Sequence, residues 1–186
     1  AETGLEISGL VGSNWIQQLL RQTPDVQVQE LAQPSAFQGS LRPYQLRGLQ
    51  WMAFLQRLGI GACLADDMGL GKTIQLISLL LLEREVARKR IEADGGTDAA
   101  REKHRVGPTL LFAPTSVLSN WVREVERFAP ELKTLAHHGP LRLRGKAFRD
   151  AVGEADLTIT SYALASRDIE DLRNVNWHRM VLDEAQ

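Results

Sequence analysis

The chain has a single cysteine, Cys63, so no disulfide can form within it. A lone cysteine inside an apolar run reads as a small buried hydrophobe, and a reducing, intracellular compartment fits that usage. Net charge is also scarce: 22 Lys+Arg against 23 Asp+Glu leaves −1. No overall basic field speaks for nucleic acid, and none speaks against it. Long hydrophobic runs are missing too. The longest, at 77–82, contains a serine and falls far short of the ~20 residues that cross a bilayer. The first residues, Ala1-Glu2-Thr3, lack the basic and apolar regions of a secretory signal. What is present is 186 residues, 44% hydrophobic, enough for one domain with a core.

The most informative stretch is Gly61-Ala-Cys-Leu-Ala-Asp-Asp-Met-Gly-Leu-Gly-Lys-Thr-Ile-Gln. An apolar run, a glycine turn and a helix-like segment follow one another, the order a nucleoside triphosphate site requires. Glycines let successive backbone N–H groups converge on phosphate oxygens, and the helix that follows points its positive end at them. In that reading Asp67, Met68, Gly69, Leu70, Gly71, Lys72, Thr73 and Ile74 form the cradle. Lys72 reaches the β- and γ-phosphates and the Thr73 hydroxyl ligates Mg²⁺. Position 66 departs from the generic pattern, which wants glycine where this chain has Asp66. The bland alternative is a glycine-rich helix start with a solvated lysine.

Beyond Lys72 two kinds of segment alternate. Helical patterns cover about 72–90, 117–128 and 142–152, and short apolar runs lie at 109–113, 133–137, 156–160 and 179–183. With 61–65 these make five expected strands, which implies an α/β fold: a mainly parallel sheet covered by helices on both faces. Ligands of such sheets bind beyond the carboxyl ends of the strands. Upstream, Pro43 suits the first turn of another helix, with Leu46, Leu49, Ala53, Phe54 and Leu58 on one face. Residues 1–40 are less regular; a short helix near 14–21 capped by Ser13 or Asn14 precedes a glutamine-rich connection, and the whole reads as the tail of an upstream domain or a linker. Residues 88–107 are charged and carry Gly95-Gly96, so a solvated loop or insertion is expected there. Seven Lys/Arg between 84 and 105 interleave with five acids, which makes a poor nucleic-acid patch.

The last strand runs into Asp183-Glu184-Ala185-Gln186. Downstream of a phosphate turn, such a pair suits Mg²⁺ held through Asp183 and a water oriented and deprotonated by Glu184. By itself, an Asp-Glu pair is most often a solvated turn.

Together, five blocks resemble the Swi/Snf family of DNA-dependent ATPases in helicase superfamily two. They are Leu41-Arg-Pro-Tyr-Gln-Leu-Arg-Gly-Leu-Gln-Trp-Met, Leu64-Ala-Asp-Asp-Met-Gly-Leu-Gly-Lys-Thr-Ile-Gln, Leu111-Phe-Ala-Pro-Thr-Ser-Val-Leu-Ser-Asn-Trp, Thr160-Ser-Tyr and the closing Asp-Glu-Ala-Gln. The resemblance spans about 41–186 and accounts for the acid at 66. It implies a RecA-like P-loop domain, the first of two lobes, with ATP and Mg²⁺ as its cofactors. It further implies adenine recognition by Gln45, with Tyr44 and Arg47 near the base. Pro114, Thr115 and Ser116 would grip the phosphates of a DNA strand, and Thr160, Ser161 and Tyr162 would make a second contact. The region of His137-His138-Gly139 is implied near DNA; a metal there lacks a matching ligand cluster. Trp51 and Trp121 read as packing residues rather than base-stacking platforms.

Backbone contacts imply sequence-independent binding of double-stranded DNA that weakens with salt. The motifs of a second lobe, including an arginine worth ~10³–10⁵ in rate, are expected in a longer chain, so these residues alone are expected to bind nucleotide and hydrolyse it barely or not at all. A bacterial or archaeal, cytoplasmic and nucleoid-associated member is expected, or a nuclear one if eukaryotic. The alternatives are a nucleotide-responsive binding module without catalysis and an RNA helicase.

Overall fold

A computed structural model describes residues 31–67 and 69–183. The short helix expected near 14–21, Met68 and Glu184 lie outside the described residues. Helix α1 spans Pro43–Arg57 and starts on proline, whose fixed φ suits a first helical turn. Helix α2, Lys72–Ala93, is the longest among the described residues. After it come α3 (Asp98–Lys103), β1 (Thr109–Ala113), a 3₁₀ turn at Thr115–Val117, α4 (Leu118–Phe128) and β2 (Thr134–His137). The chain then forms α5 (Gly145–Glu154), β3 (Leu157–Ser161), α6 (Tyr162–Arg167), α7 (Ile169–Arg173) and β4 (Arg179–Leu182).

The described strands make one sheet in the order β2-β3-β1-β4, and every pairing is parallel. Parallel neighbours need covered crossovers, and alternation along β1 supplies both faces. Leu111 and Ala113 join Ile77, Leu80, Leu81, Leu118, Trp121 and Val125 beneath α2 and α4. Leu110 joins Phe148, Val152 and Leu172 beneath α5 and α7, with Phe112 packed against them. Burial of this kind contributes roughly 1.5–3 kcal/mol per large side chain, which outweighs any single surface contact. Helix α2 is buried from Gln75 to Leu81 because it lies between two partners. Leu80 faces the sheet, while Leu79 packs with Leu49, Met52 and Ala53 of α1. Upstream of α1, Phe37 is buried in the sheet core and stacks on Phe128.

Three expectations need correcting. Residues 61–65 form no strand among the described residues: a strand needs a neighbour's ladder bonds, and none pairs with it. Cys63 in that run is exposed rather than buried. On the other side, β4 pairs only with β1 and leaves Met180 66% and Leu182 59% exposed. The charged stretch at 88–107 is also more ordered than a loop. Helix α2 continues to Ala93, and α3 forms because the Thr97 side chain accepts from the Ala100 N–H. Asp94 closes the intervening turn, its carboxyl held at about 2 by Lys103 and His104. Among the described residues no helix is long and apolar enough to cross a membrane.

Candidate nucleotide and nucleic-acid site

Register decides where the site residues go. Ala113 is level with Ser161, His137 with Thr160, and Leu182 with Phe112. Pro114, Tyr162, His138 and Asp183 therefore all leave the sheet at its carboxyl edge. Helix α2 runs the other way. Its second half is tied to the amino edge, where Arg84 bonds Asp156 (2.7 Å) just before β3 and Glu83 holds Arg179 (2.9 Å) at the start of β4. Burial raises the Glu83 carboxyl, but Arg179 beside it prevails and holds it below its usual range. Lys72 precedes Glu83 by about three turns, roughly 16 Å at 1.5 Å per residue. That is a strand's length, so Lys72 returns to the edge from which Asp183 leaves.

The turn before α2 is built on two left-handed glycines, Gly69 (φ 81°) and Gly71 (φ 83°). At Gly71 a side chain has no room either, because a Cβ would lie 2.5 Å from Gln45 Nε2. The first amides of α2 have no carbonyl one turn back, and Gln75 N to Gly71 O (3.1 Å) is the first helical bond. Lys72 Nζ bends back to donate to the carbonyls of Asp66 (2.6 Å) and Asp67 (3.1 Å). Ile74 leaves the turn and packs against the core.

Helix α1 holds this turn in place. Tyr44 Oη and Gln45 Nε2 each donate to the Leu70 carbonyl at 3.1 Å. Gln45 is buried, and its Oε1 accepts from Arg42 N (2.9 Å) at the helix start. Both amide ends of Gln45 are thus spent on the protein. Arg47 is exposed on the same helix. Gln75 gives Asp66 a fixed place by donating Nε2 to its Oδ2 at 3.0 Å. Sequence reasoning passed over Gln75, although a polar residue inside an apolar helix run is the signal for such a role.

At the same edge, Thr115 and Ser116 are exposed on the 3₁₀ turn that opens α4. Thr160 and Ser161 are not. Thr160 Oγ1 donates to the His137 carbonyl (3.1 Å), and Ser161 Oγ accepts from Leu164 N (3.3 Å) to cap α6. Their hydroxyls therefore face inward, contrary to the expected phosphate contact, while Tyr162 is 37% exposed. Trp121 is buried, as a packing residue should be, yet its Nε1 donates to Asp183 Oδ2 at 2.7 Å. Trp51 is 42% exposed and stacks on Phe54.

His137 is bound to a buried charge cluster. Its Nε2 lies 2.9 Å from Asp168 Oδ2, and Arg142 and Arg144 also pair with that carboxylate. Arg142 beside Asp168 holds the carboxyl below its usual range. Burial pushes the His137 imidazole below its ordinary 6.5, against the pull of Asp168. The cluster pins residues 138–144 at the same edge. A cleft of about 640 Å³, lined by Leu79, Val86, Arg90, His104 and His178, opens between α1 and α2 on the far side and shares no residue with this constellation.

The donor set fits Mg²⁺, which takes hard oxygens: a carboxylate from Asp183 and a hydroxyl from Thr73. The turn fits phosphate, with its amides, Lys72 and a glycine position that excludes a Cβ.

Comparison with known proteins places the chain in a family. The family described as SNF2-related domain matches residues 44–186. A putative ATP-dependent helicase/translocase, YwqA, of Bacillus subtilis is 46% identical over 151 residues, covering 81% of this chain and 15% of that protein. The chromatin-remodeling ATPase INO80 of Arabidopsis thaliana is 40% identical over 162 residues, covering 82% of this chain and 10% of its own length. Among solved structures, the Sulfolobus solfataricus SWI2/SNF2 ATPase core in complex with dsDNA matches with a TM-score of 0.63 at 36% identity. That match covers 84% of this chain and 28% of the other. The chain thus spans a small part of the relatives it matches. Sheet, turn and sequence agree, and the chain belongs to the SNF2-related domain family.

Proposed function

We propose that this chain is the first RecA-like lobe of an ATP-driven double-stranded DNA translocase, a DNA-dependent ATPase in its full-length form. Residues 41–186 belong to that lobe, and 1–40 are the tail of an upstream domain or a linker, whose Phe37 packs on the lobe's core. The observation that supports it most is the shared carboxyl edge, where the Lys72 turn, the Thr115-Ser116 turn and Asp183 all lie.

In this reading Lys72 exchanges its contacts with the Asp66 and Asp67 carbonyls for the β- and γ-phosphates. The amides at Gly69, Gly71 and Thr73 complete the cradle, and the helix start adds a favourable field. Thr73 and Asp183 would hold Mg²⁺, which would supply charge neutralisation at the phosphates. Glu184 orients and deprotonates the attacking water. Tyr44 and Gln45 act first on the turn, through Leu70 O. Adenine contact then requires Gln45 to release Leu70 or Arg42, with exposed Arg47 of the same helix near the base. Thr115, Ser116 and the amides opening α4 donate to a strand's phosphates, with Tyr162 a second contact. Thr160 and Ser161 shape that edge from inside.

The test is binding by the 186-residue chain and turnover by the full-length protein. Mg–ATP and duplex DNA should each bind, DNA more weakly as salt rises. Duplex DNA should stimulate hydrolysis more than single strands or RNA. Stimulation by RNA alone would replace the DNA assignment, and binding without any turnover in the full-length protein would favour a nucleotide-responsive binding module.

A further inference from the structure

Asp183 is held by three elements at once. Its backbone N–H donates to Phe112 O (2.8 Å) and so extends the β1–β4 ladder. Its carbonyl accepts from Tyr162 Oη at 2.7 Å, and its carboxylate Oδ2 accepts from Trp121 Nε1 at 2.7 Å. The two side-chain donors come from separate places. Trp121 lies one turn into α4, the helix that opens on Thr115 and Ser116. Tyr162 is the first residue of α6, immediately after Thr160 and Ser161, and its ring stacks on Phe112.

Ordinary packing does not require either bond. The Trp121 indole is 5% exposed, so its N–H has little access to water, and a buried donor without a partner is costly. A backbone carbonyl of a neighbour would have served. The acceptor is instead the carboxylate at the end of β4. A bond of a neutral donor to a carboxylate is also stronger than one between neutral groups. Both aromatic tips thus end on the same residue, one on its side chain and one on its main chain.

We propose that Trp121 and Tyr162 are positioning residues for Asp183, coupling backbone contact with duplex DNA at Thr115, Ser116 and Tyr162 to Mg–triphosphate binding. This rests on the function proposed above. A phosphate drawn onto the start of α4 biases that helix, and Trp121 carries the shift to the angle of the Asp183 carboxylate. Contact at Tyr162 acts on the Asp183 main chain. Coupling of this type is reciprocal, so Mg–nucleotide changes DNA affinity by the factor with which DNA changes nucleotide affinity.

Two measurements on the 186-residue chain test it. The first is the dissociation constant for duplex DNA with and without Mg²⁺ and a non-hydrolysable ATP analogue. The wild-type ratio should depart from one by at least ~5-fold, the lower end of usual coupling. Trp121→Phe keeps the ring and removes the N–H; the ratio should collapse towards one while each ligand alone still binds. Tyr162→Phe changes DNA affinity itself but should also shrink the ratio. The second needs no substitution: the indole N–H resonance of Trp121 should move on adding Mg–analogue and again on adding DNA. A wild-type ratio of one, an unchanged ratio in both variants, or a resonance that neither ligand moves overturns the coupling and leaves the proposed function standing. Failure of the wild type to bind either ligand removes both.

Discussion

Gly48 lies in the interior of α1, where alanine is ordinarily better by ~1 kcal/mol. The structure reverses that expectation. A Cβ at Gly48 would sit 1.8 Å from Gln75 Oε1 and 3.0 Å from its Cδ. Gln75 is fully buried and bound to Asp66, so it has no solvent to swing into. Overpacking of this kind costs about 1–3 kcal/mol. Withdrawing the amide from Asp66 adds about 1 kcal/mol, the typical worth of a hydrogen bond. After subtracting the helix gain, Gly48→Ala should destabilise by about 1–3 kcal/mol, or roughly 2–12 °C in Tm for a chain this size. Removing the obstacle should restore the ordinary preference. In a Gln75→Ala background, Gly48→Ala should stabilise by up to ~1 kcal/mol. Urea denaturation of the wild type, both single variants and the double variant gives the coupling directly. A stabilising Gly48→Ala in the wild type, or effects additive within about 0.5 kcal/mol, would refute the contact between α1 and α2 and with it the account of how Asp66 is held.

Lys72→Ala should weaken Mg–ATP binding by ~100-fold, about the 3 kcal/mol of a strong charged hydrogen bond, with little change in melting; wild-type affinity in a titration would count against the phosphate role. Glu184→Gln in the full-length protein should bind Mg–ATP normally and cease turnover, read by separate binding and phosphate-release assays. Stability should fall as pH drops from about 7 to 5. Burial holds His137 below its ordinary 6.5, so the unfolded imidazole takes up a proton that the folded one refuses. Arg142 and Arg144 face the ring and oppose its charging, while Asp168 favours it. Asp168 itself, held low by Arg142, adds a loss only as pH falls below its ordinary 3.8. Melting at pH 7.5 and 5.5 should show the decline in the wild type and a flatter response in His137→Asn; a wild type more stable at 5.5 would contradict it.

Much of the fold was legible because its strands are short apolar runs between helical patterns. The runs at 109–113, 133–137, 156–160 and 179–183 correspond to β1, β2, β3 and β4 within a residue. The run at 61–65 looked the same, yet a strand also requires a partner, and periodicity says nothing about neighbours. The stretch at 88–107 misled in the opposite direction. Its low hydrophobicity concealed helix continuation to Ala93 and a Thr97 cap. Around the proposed site, the places of Lys72 at a helix start and of Asp183 just past a strand end were legible from glycine spacing and the apolar run. The links between them were not: Gln75 to Asp66, Trp121 to Asp183 and Tyr162 to Asp183 join residues far apart in the chain. Thr160 and Ser161 show the same limit, since a hydroxyl's residue type does not reveal whether it turns inward.

The most direct test is paramagnetic broadening of backbone amides by Mn²⁺–ATP bound in place of the magnesium complex. Amides of Gly69, Gly71, Lys72 and Thr73 should broaden together with Asp183, since one metal–triphosphate would lie against both. Broadening at only one of these places, or at the cleft between α1 and α2, would contradict a shared site at the carboxyl edge.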